Sequence, residues 1–216
     1  MTAAEVLFEQ QARLLPGRFP ELALVFKDGK PVVEGYIILR DVTGIEIDRY
    51  QVCIEATNGY PYRFPKTFET GGRIPPSIEW HKFPEDGSCC LASPPAEIQA
   101  CRMGLQLLDF IELHLTPYFF NQKFRELNGY FKDECPHGLP ATINYFSELL
   151  DTESHSIIIK ALRLAQGPYL PDRTSKCFCD SGKKYRKCHR ERFLKLKEYI
   201  PKKEDIAFFI KCLEGN

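Results

Sequence analysis

Two clusters of side chains in this 216-residue chain could do chemistry. The first lies in Trp80-His81-Lys82-Phe83-Pro84-Glu85-Asp86-Gly87-Ser88-Cys89-Cys90-Leu91, which places an imidazole, a carboxylate and two adjacent thiols in one loop. A thiol is partly ionised near neutral pH and its thiolate is strongly nucleophilic, so the loop suits covalent acyl transfer. No His-Asp pairing to either thiol is evident, which fits a thioester carrier better than a hydrolase, because activated water would destroy the intermediate. Neighbouring residues of an extended segment point to opposite sides, so one thiol should face the core and the other solvent. Leu91 needs burial and should share the side of Cys89, which leaves Cys90 as the exposed, functional thiol. Asp86 either makes the Asp86-Gly87 turn or supports an incoming amine, and His81 either orients the loop or donates a hydrogen bond.

The second cluster is Cys177, Cys179, Cys188 and His189, spaced C-x-C-x8-C-H. Three thiolates and one imidazole complete a tetrahedral zinc shell, with Ser181-Gly182 supplying the turn between the ligand pairs. All four positions are protein-filled, so the expected metal is structural and not catalytic. The segment holds few apolar residues, and metal binding should supply its folding energy. It is therefore expected to behave as a separate tail that melts on chelation without disturbing the rest. Cys135 and His137 lack a third ligand nearby and are not read as a metal site.

The elements that must position these residues follow from periodicity. Thr2 and Glu5 form a capping-box pattern that opens a helix over about 3–15, stopped by Pro16-Gly17. Alternating runs at 21–27, 32–40 and 45–56 read as antiparallel strands, with Asp28-Gly29 as a hairpin turn. Tyr50, Val52 and Ile54 share one face of the third, and Cys53 on the other is a packing residue. A Pro-rich connection follows, with a cis bond expected at Tyr60-Pro61, and a fourth strand is expected over 75–80. Residues 96–115 read as one apolar core helix ended by Pro117, with His114 a partly buried, satisfied imidazole. Helices over about 140–150 and 154–166 precede the linker 167–175. The result is an α+β chain with one domain at 1–166 and a zinc module at 167–216.

Composition narrows the classes. The chain balances 29 basic against 29 acidic residues, which gives no global attraction to nucleic acid. Residues 172–216 nevertheless hold 13 Lys/Arg against 7 Asp/Glu, a local surplus of six matched by an acidic surplus of six in residues 1–171. The basic module could face an acidic protein surface or RNA. No apolar run reaches the 18 or so residues of a membrane helix, and the first residues do not read as a signal peptide. Nine cysteines, an odd number, point to a reducing cytoplasm in which clustered thiols serve metal or catalysis.

The order of helix, strands, Pro-rich connection, Cys loop and helix resembles the ubiquitin-conjugating enzymes over about residues 1–165. Tyr60-Pro61 with Pro65, then His81, then Asp86-Gly87-Ser88-Cys89-Cys90-Leu91 match that family's Y-P-x-x-P-P, H-P-N and D-G-x-I-C-L motifs. The resemblance implies a four-stranded antiparallel meander flanked by helices and a nucleophile at Cys90, with Cys89 in a packing position. The sequence departs from the family at Lys82-Phe83, where the Pro-Asn that stabilises the oxyanion would stand, and the interval from His81 to Cys90 is one residue short. The segment Cys177–His189 resembles the SEC-C zinc motif, C-x-C-x-S-G-x5-C-[CH], at every defined position. Together the two are similar to stand-alone conjugating-like proteins of bacterial anti-phage defence operons. That resemblance implies a cGAS-like nucleotidyltransferase as the modified or bound partner, and an activating enzyme upstream. A non-catalytic scaffold of the same fold and an RNA or ribosome adaptor are the competing expectations.

Overall fold

The computed structural model describes residues 1–133 and 136–215, so Cys135 lies outside the described residues. The chain divides into two compact units, Met1–Ala92 with Met103–Glu134, and Ser93–Arg102 with Cys135–Asn216.

The first unit opens with α1 (Ala3–Ala12), whose capping box is complete. Thr2 Oγ1 accepts from Glu5 N at 3.2 Å, and Glu5 Oε2 accepts from Thr2 N at 2.7 Å. Four strands then form an antiparallel sheet in sequence order: β1 (Leu22–Lys27), β2 (Lys30–Arg40), β3 (Glu46–Glu55) and β4 (Lys66–Glu69). Asp28 and Gly29 both have positive φ, 49° and 76°, the conformation that lets a two-residue turn follow the strand twist. Gly35 is required where it stands, because a Cβ there would lie 1.8 Å from the Glu21 carbonyl oxygen. The cross-strand pairs Val33–Ile54, Gly35–Val52 and Ile37–Tyr50 put the apolar side chains of two strands on one buried face. Phe8, Phe110, Ile111, Leu115 and Phe119 are among the other buried apolar residues of that unit.

Two expectations need correction here. The fourth strand is Lys66–Glu69, whereas Ile78–Trp80 is a 3-10 turn capped by Ser77. Pro75-Pro76 cannot donate ladder hydrogen bonds, while Lys66-Thr67-Phe68-Glu69 follows directly on Pro65, and a strand may start after a proline at a sheet edge. The single helix expected over 96–115 is likewise broken. It consists of α2 (Pro94–Cys101), a break with Gly104 at φ 87°, and then α3 (Leu107–Phe110) running through a π-turn at Ile111–Leu115 into α4 (Thr116–Asn128). Pro117 therefore does not stop the helix. The π-turn lies at the carbonyls its ring would otherwise strike. The Tyr60-Pro61 bond is cis, as expected. His114 is half-buried beside Phe64 and Phe110, and burial lowers its pKa.

The second unit holds α2, α5 (Gly138–Leu150), α6 (His155–Gln166), α7 (Arg190–Tyr199) and α8 (Lys203–Glu214). Its core joins Phe146, Leu150, Ile158 and Leu162 of the first two long helices to Cys177, Tyr185, Phe193 and Phe209. The units thus part elsewhere than at residue 167. Helices 138–166 bury their apolar faces against the Cys/His segment, and 167–175 is a connection inside one unit.

One interaction in the first unit is absent from any sequence pattern. Lys82 is buried, and its Nζ donates to the Glu69 carbonyl at 3.0 Å, to Glu69 Oε2 at 3.3 Å and to the Ile74 carbonyl at 3.2 Å. The Glu69 carboxylate, fully buried, also accepts from the backbone of Arg73 and Ile74. Removing one partner of a buried ion pair strands the other charge, which costs about 3–5 kcal/mol. Lys82→Met should therefore lower the first unit's stability by about that amount in denaturant unfolding. The double variant Lys82→Met/Glu69→Gln should recover most of the loss. A single variant within about 0.5 kcal/mol of wild type, the scale of ordinary surface changes, would mean that the pair does not anchor this region.

Candidate functional site

The thiol loop is a short hairpin laid against the free edge of β4. Ser77, capping the 3-10 turn, turns the chain so that His81 adopts a left-handed conformation at φ 51°. Lys82 pairs with Cys89 in an antiparallel bridge, and Phe83 N donates to the Ser88 carbonyl at 2.8 Å. On the other side Ser88 bridges Phe68, and Cys89 N donates to the Thr67 carbonyl at 2.8 Å. Ser88-Cys89 thus extends the sheet beyond its fourth strand.

Asp86 makes the turn. Its Oδ1 accepts from Ser88 N at 2.8 Å and from Ser88 Oγ at 2.7 Å, and Oδ2 pairs with Lys66. The Lys66 ammonium first, and Ser88 second, hold this carboxyl down at about 2. Both oxygens are thus engaged, one in the turn and one with Lys66.

The extended backbone separates the two thiols. Cys89 is 7% exposed, and burial pushes its thiol up to about 11, although the Tyr118 hydroxyl beside it acts the other way. Cys90 is partly exposed, and its backbone N–H donates to the His81 carbonyl at 2.8 Å. A ring nitrogen of His81 and the Cys90 sulfur lie within 4.8 Å of each other. The His81 ring stands edge-on to Phe131 at 4.6 Å. The same His81 carbonyl also accepts from the Tyr118 hydroxyl at 2.9 Å, so α4 holds the loop at the residue that holds Cys90. Leu91 is only half-buried, less than expected. The Lys82 ammonium turns inward to Glu69 and Ile74.

The second unit brings its four expected ligands together. Cys177, Cys179 and Cys188 sulfurs and a His189 ring nitrogen all lie within 4.8 Å of one another. Cys177 Sγ to His189 Nδ1 is 3.4 Å, Cys188 Sγ to His189 Nδ1 is 3.2 Å, and Cys179 Sγ to Cys188 Sγ is 3.5 Å. Ligands at tetrahedral zinc distances stand roughly 3.5–3.8 Å apart, and these three separations come within a few tenths of an ångström of that. Asp180 at φ 60° and Gly182 at φ 74° turn the chain between the ligand pairs, and Cys177 N donates to the Lys183 carbonyl at 2.9 Å. Ser181 Oγ lies 3.2 Å from Cys179 Sγ and 3.5 Å from Cys188 Sγ, where it can hydrogen-bond the thiolates.

Sequence reasoning did not single out Lys82 and Tyr118, whose hydrogen bonds hold the thiol loop. Tyr118 stands in the aromatic run Tyr118-Phe119-Phe120, which reads as core or a packed edge, and nothing in the pattern signals a buried lysine. The expectation of an independent metal tail also changes. Cys177 and Tyr185 are part of the second unit's core, and the Phe178 ring packs at tilted angles against Tyr185, His189 and Phe193. Chelation should therefore lower the helical content contributed by α5–α8, and Cys177→Ser should do the same without chelator. Circular dichroism and calorimetry read both effects, and a helical signal unchanged after complete metal removal would contradict them.

No described helix is long and apolar enough to cross a membrane. The SEC-C motif family matches residues 173–191, which contain all four ligand positions. No curated protein and no solved structure shows significant similarity to the chain.

Proposed function

We propose that the chain is a ubiquitin-conjugating-like carrier that holds an acyl group as a thioester on Cys90, with zinc as the ion of the C-terminal cluster. The observation that supports this most is the separation of the adjacent thiols, one buried in the extended sheet and one partly exposed beside an imidazole. In the first step the Cys90 thiolate attacks a donor thioester at the C-terminus of a ubiquitin-like protein. A new carbon–sulfur bond forms and the donor thiolate leaves, so the exchange is nearly isoenergetic. In the second step an amine attacks, loses a proton and releases the Cys90 thiolate. A preceding activating enzyme would supply the donor. Resemblance to defence-operon proteins makes a cGAS-like nucleotidyltransferase the natural acceptor or bound partner.

The inward-turned Lys82 favours a second reading, a binding scaffold of the same fold, because no side-chain amide stands after His81 to stabilise the oxyanion.

Intact mass of the protein co-expressed with its genomic neighbours distinguishes the two. The carrier reading expects a reductant-sensitive adduct on wild type that Cys90→Ala abolishes and Cys89→Ser retains. Cys90→Ser should convert it into a reductant-stable ester. Equal adduct formation by Cys90→Ala and wild type would exclude Cys90 as the carrier, and no adduct in any form would favour the scaffold.

A further inference from the structure

The connection into the metal cluster carries a surface that the acyl-carrier reading does not use. Arg173, Lys176, Lys183, Lys184, Arg186 and Lys187 are all exposed. Among the described residues none of the six forms an ion pair, whereas Lys160, Arg163 and Arg192 of the same unit each hold a carboxylate. The single acid between 173 and 190, Asp180, is held by Lys160 at 2.7 Å.

Their arrangement is more informative than their number. Lys176 and Lys184 face each other in an antiparallel bridge, and Arg186 N donates to the Arg173 carbonyl at 3.1 Å. The backbone hydrogen bonds Tyr185 N to Ser175 O and Cys177 N to Lys183 O, both 2.9 Å, fix this register. Like charges directly across a pair of strands repel, and Lys176 and Lys184 are held so by the same turn that gathers the metal ligands, with Arg173 and Arg186 joined through the backbone beside them. An anion bound across them would relieve that repulsion.

The chemistry of the anion follows from what the surface lacks. Protein hot spots centre on buried aromatic or aliphatic anchors. Here the aromatic residues of 173–190 turn inward: Tyr185 is buried and Phe178 is packed on other rings. Phosphodiester backbones need no apolar anchor, only cations in register. We infer that this paired basic knuckle binds the phosphate backbone of a nucleic acid, without reading sequence.

The metal-replete full-length protein can be titrated into labelled single-stranded RNA, single-stranded DNA and duplex DNA over a salt series, with polyglutamate as the acidic-protein probe. Four phosphate contacts predict a salt slope of about −2.8 on a single strand. Lys176→Gln/Lys184→Gln should reduce the slope by about 1.4 and weaken binding about twentyfold at 0.1 M salt. Arg173→Gln/Arg186→Gln should do the same, so the result does not depend on one variant folding, and Lys176→Arg/Lys184→Arg should retain binding. Lys30→Gln/Lys132→Gln, in the first unit, should have no effect. Nucleic-acid binding that ignores both Gln pairs, a slope shallower than about −1, or tighter binding to polyglutamate than to any nucleic acid would overturn the inference.

Discussion

The thiol loop depends on the ion pair between Lys82 and Glu69. Glu69 ends β4, Lys82 begins the hairpin that carries the thiols, and the lysine's three oxygen partners tie the loop to the strand and to the Ile74 carbonyl. Buried charges persist only where pairing and hydrogen bonds offset their desolvation, and here the ammonium has an oxygen partner for each of its three protons. From that arrangement follow the bridge to Cys89, the extension of the sheet through Thr67, and the placement of Cys90 one residue beyond the buried edge. Tyr118 reinforces it from α4 through the carbonyl that also receives the Cys90 amide.

The second unit solves a different problem with the same residue type. Its cysteines are placed by a tight turn with two left-handed residues, and the ligand set is backed by a hydrophobic core shared with the long helices. A metal here would act on the whole unit because the first ligand, Cys177, is itself a core residue. The exposed charges of the same turn are cationic apart from Asp180, so one short segment presents ligands inward and positive charge outward. A small unit gains from this division, since each residue faces one environment.

Much of this was legible in the sequence, for identifiable reasons. The capping box at Thr2, the Asp28-Gly29 hairpin, the alternation through Tyr50 to Ile54 and the C-x-C-x8-C-H spacing are local rules that tertiary context did not override. The misplaced fourth strand arose because Pro75–Trp80 looked extended, while four residues after Pro65 formed the edge. The broken helix was hidden because apolar periodicity continues across Gly104, and only the backbone shows the turn there. Membership of 138–166 in the second unit could not be read from a linker signal, because glycine and proline mark a connection and not which core the flanking helices join. Lys82 was opaque because a lysine's burial is decided by partners brought from Glu69 and Ile74.

The central claim is that the Lys82–Glu69 pair fixes the loop that buries one thiol and presents the other. It is tested most directly by alkylation kinetics at Cys89 and Cys90 under native conditions, resolved by peptide mapping, in wild type and Lys82→Met. The account expects Cys90 to be labelled first in wild type. In the variant, Cys89 labelling should accelerate by about a hundredfold, the factor that roughly 3 kcal/mol of lost local stability gives. Cys89 labelled as fast as Cys90 in wild type, or a labelling ratio unchanged by Lys82→Met, would contradict it.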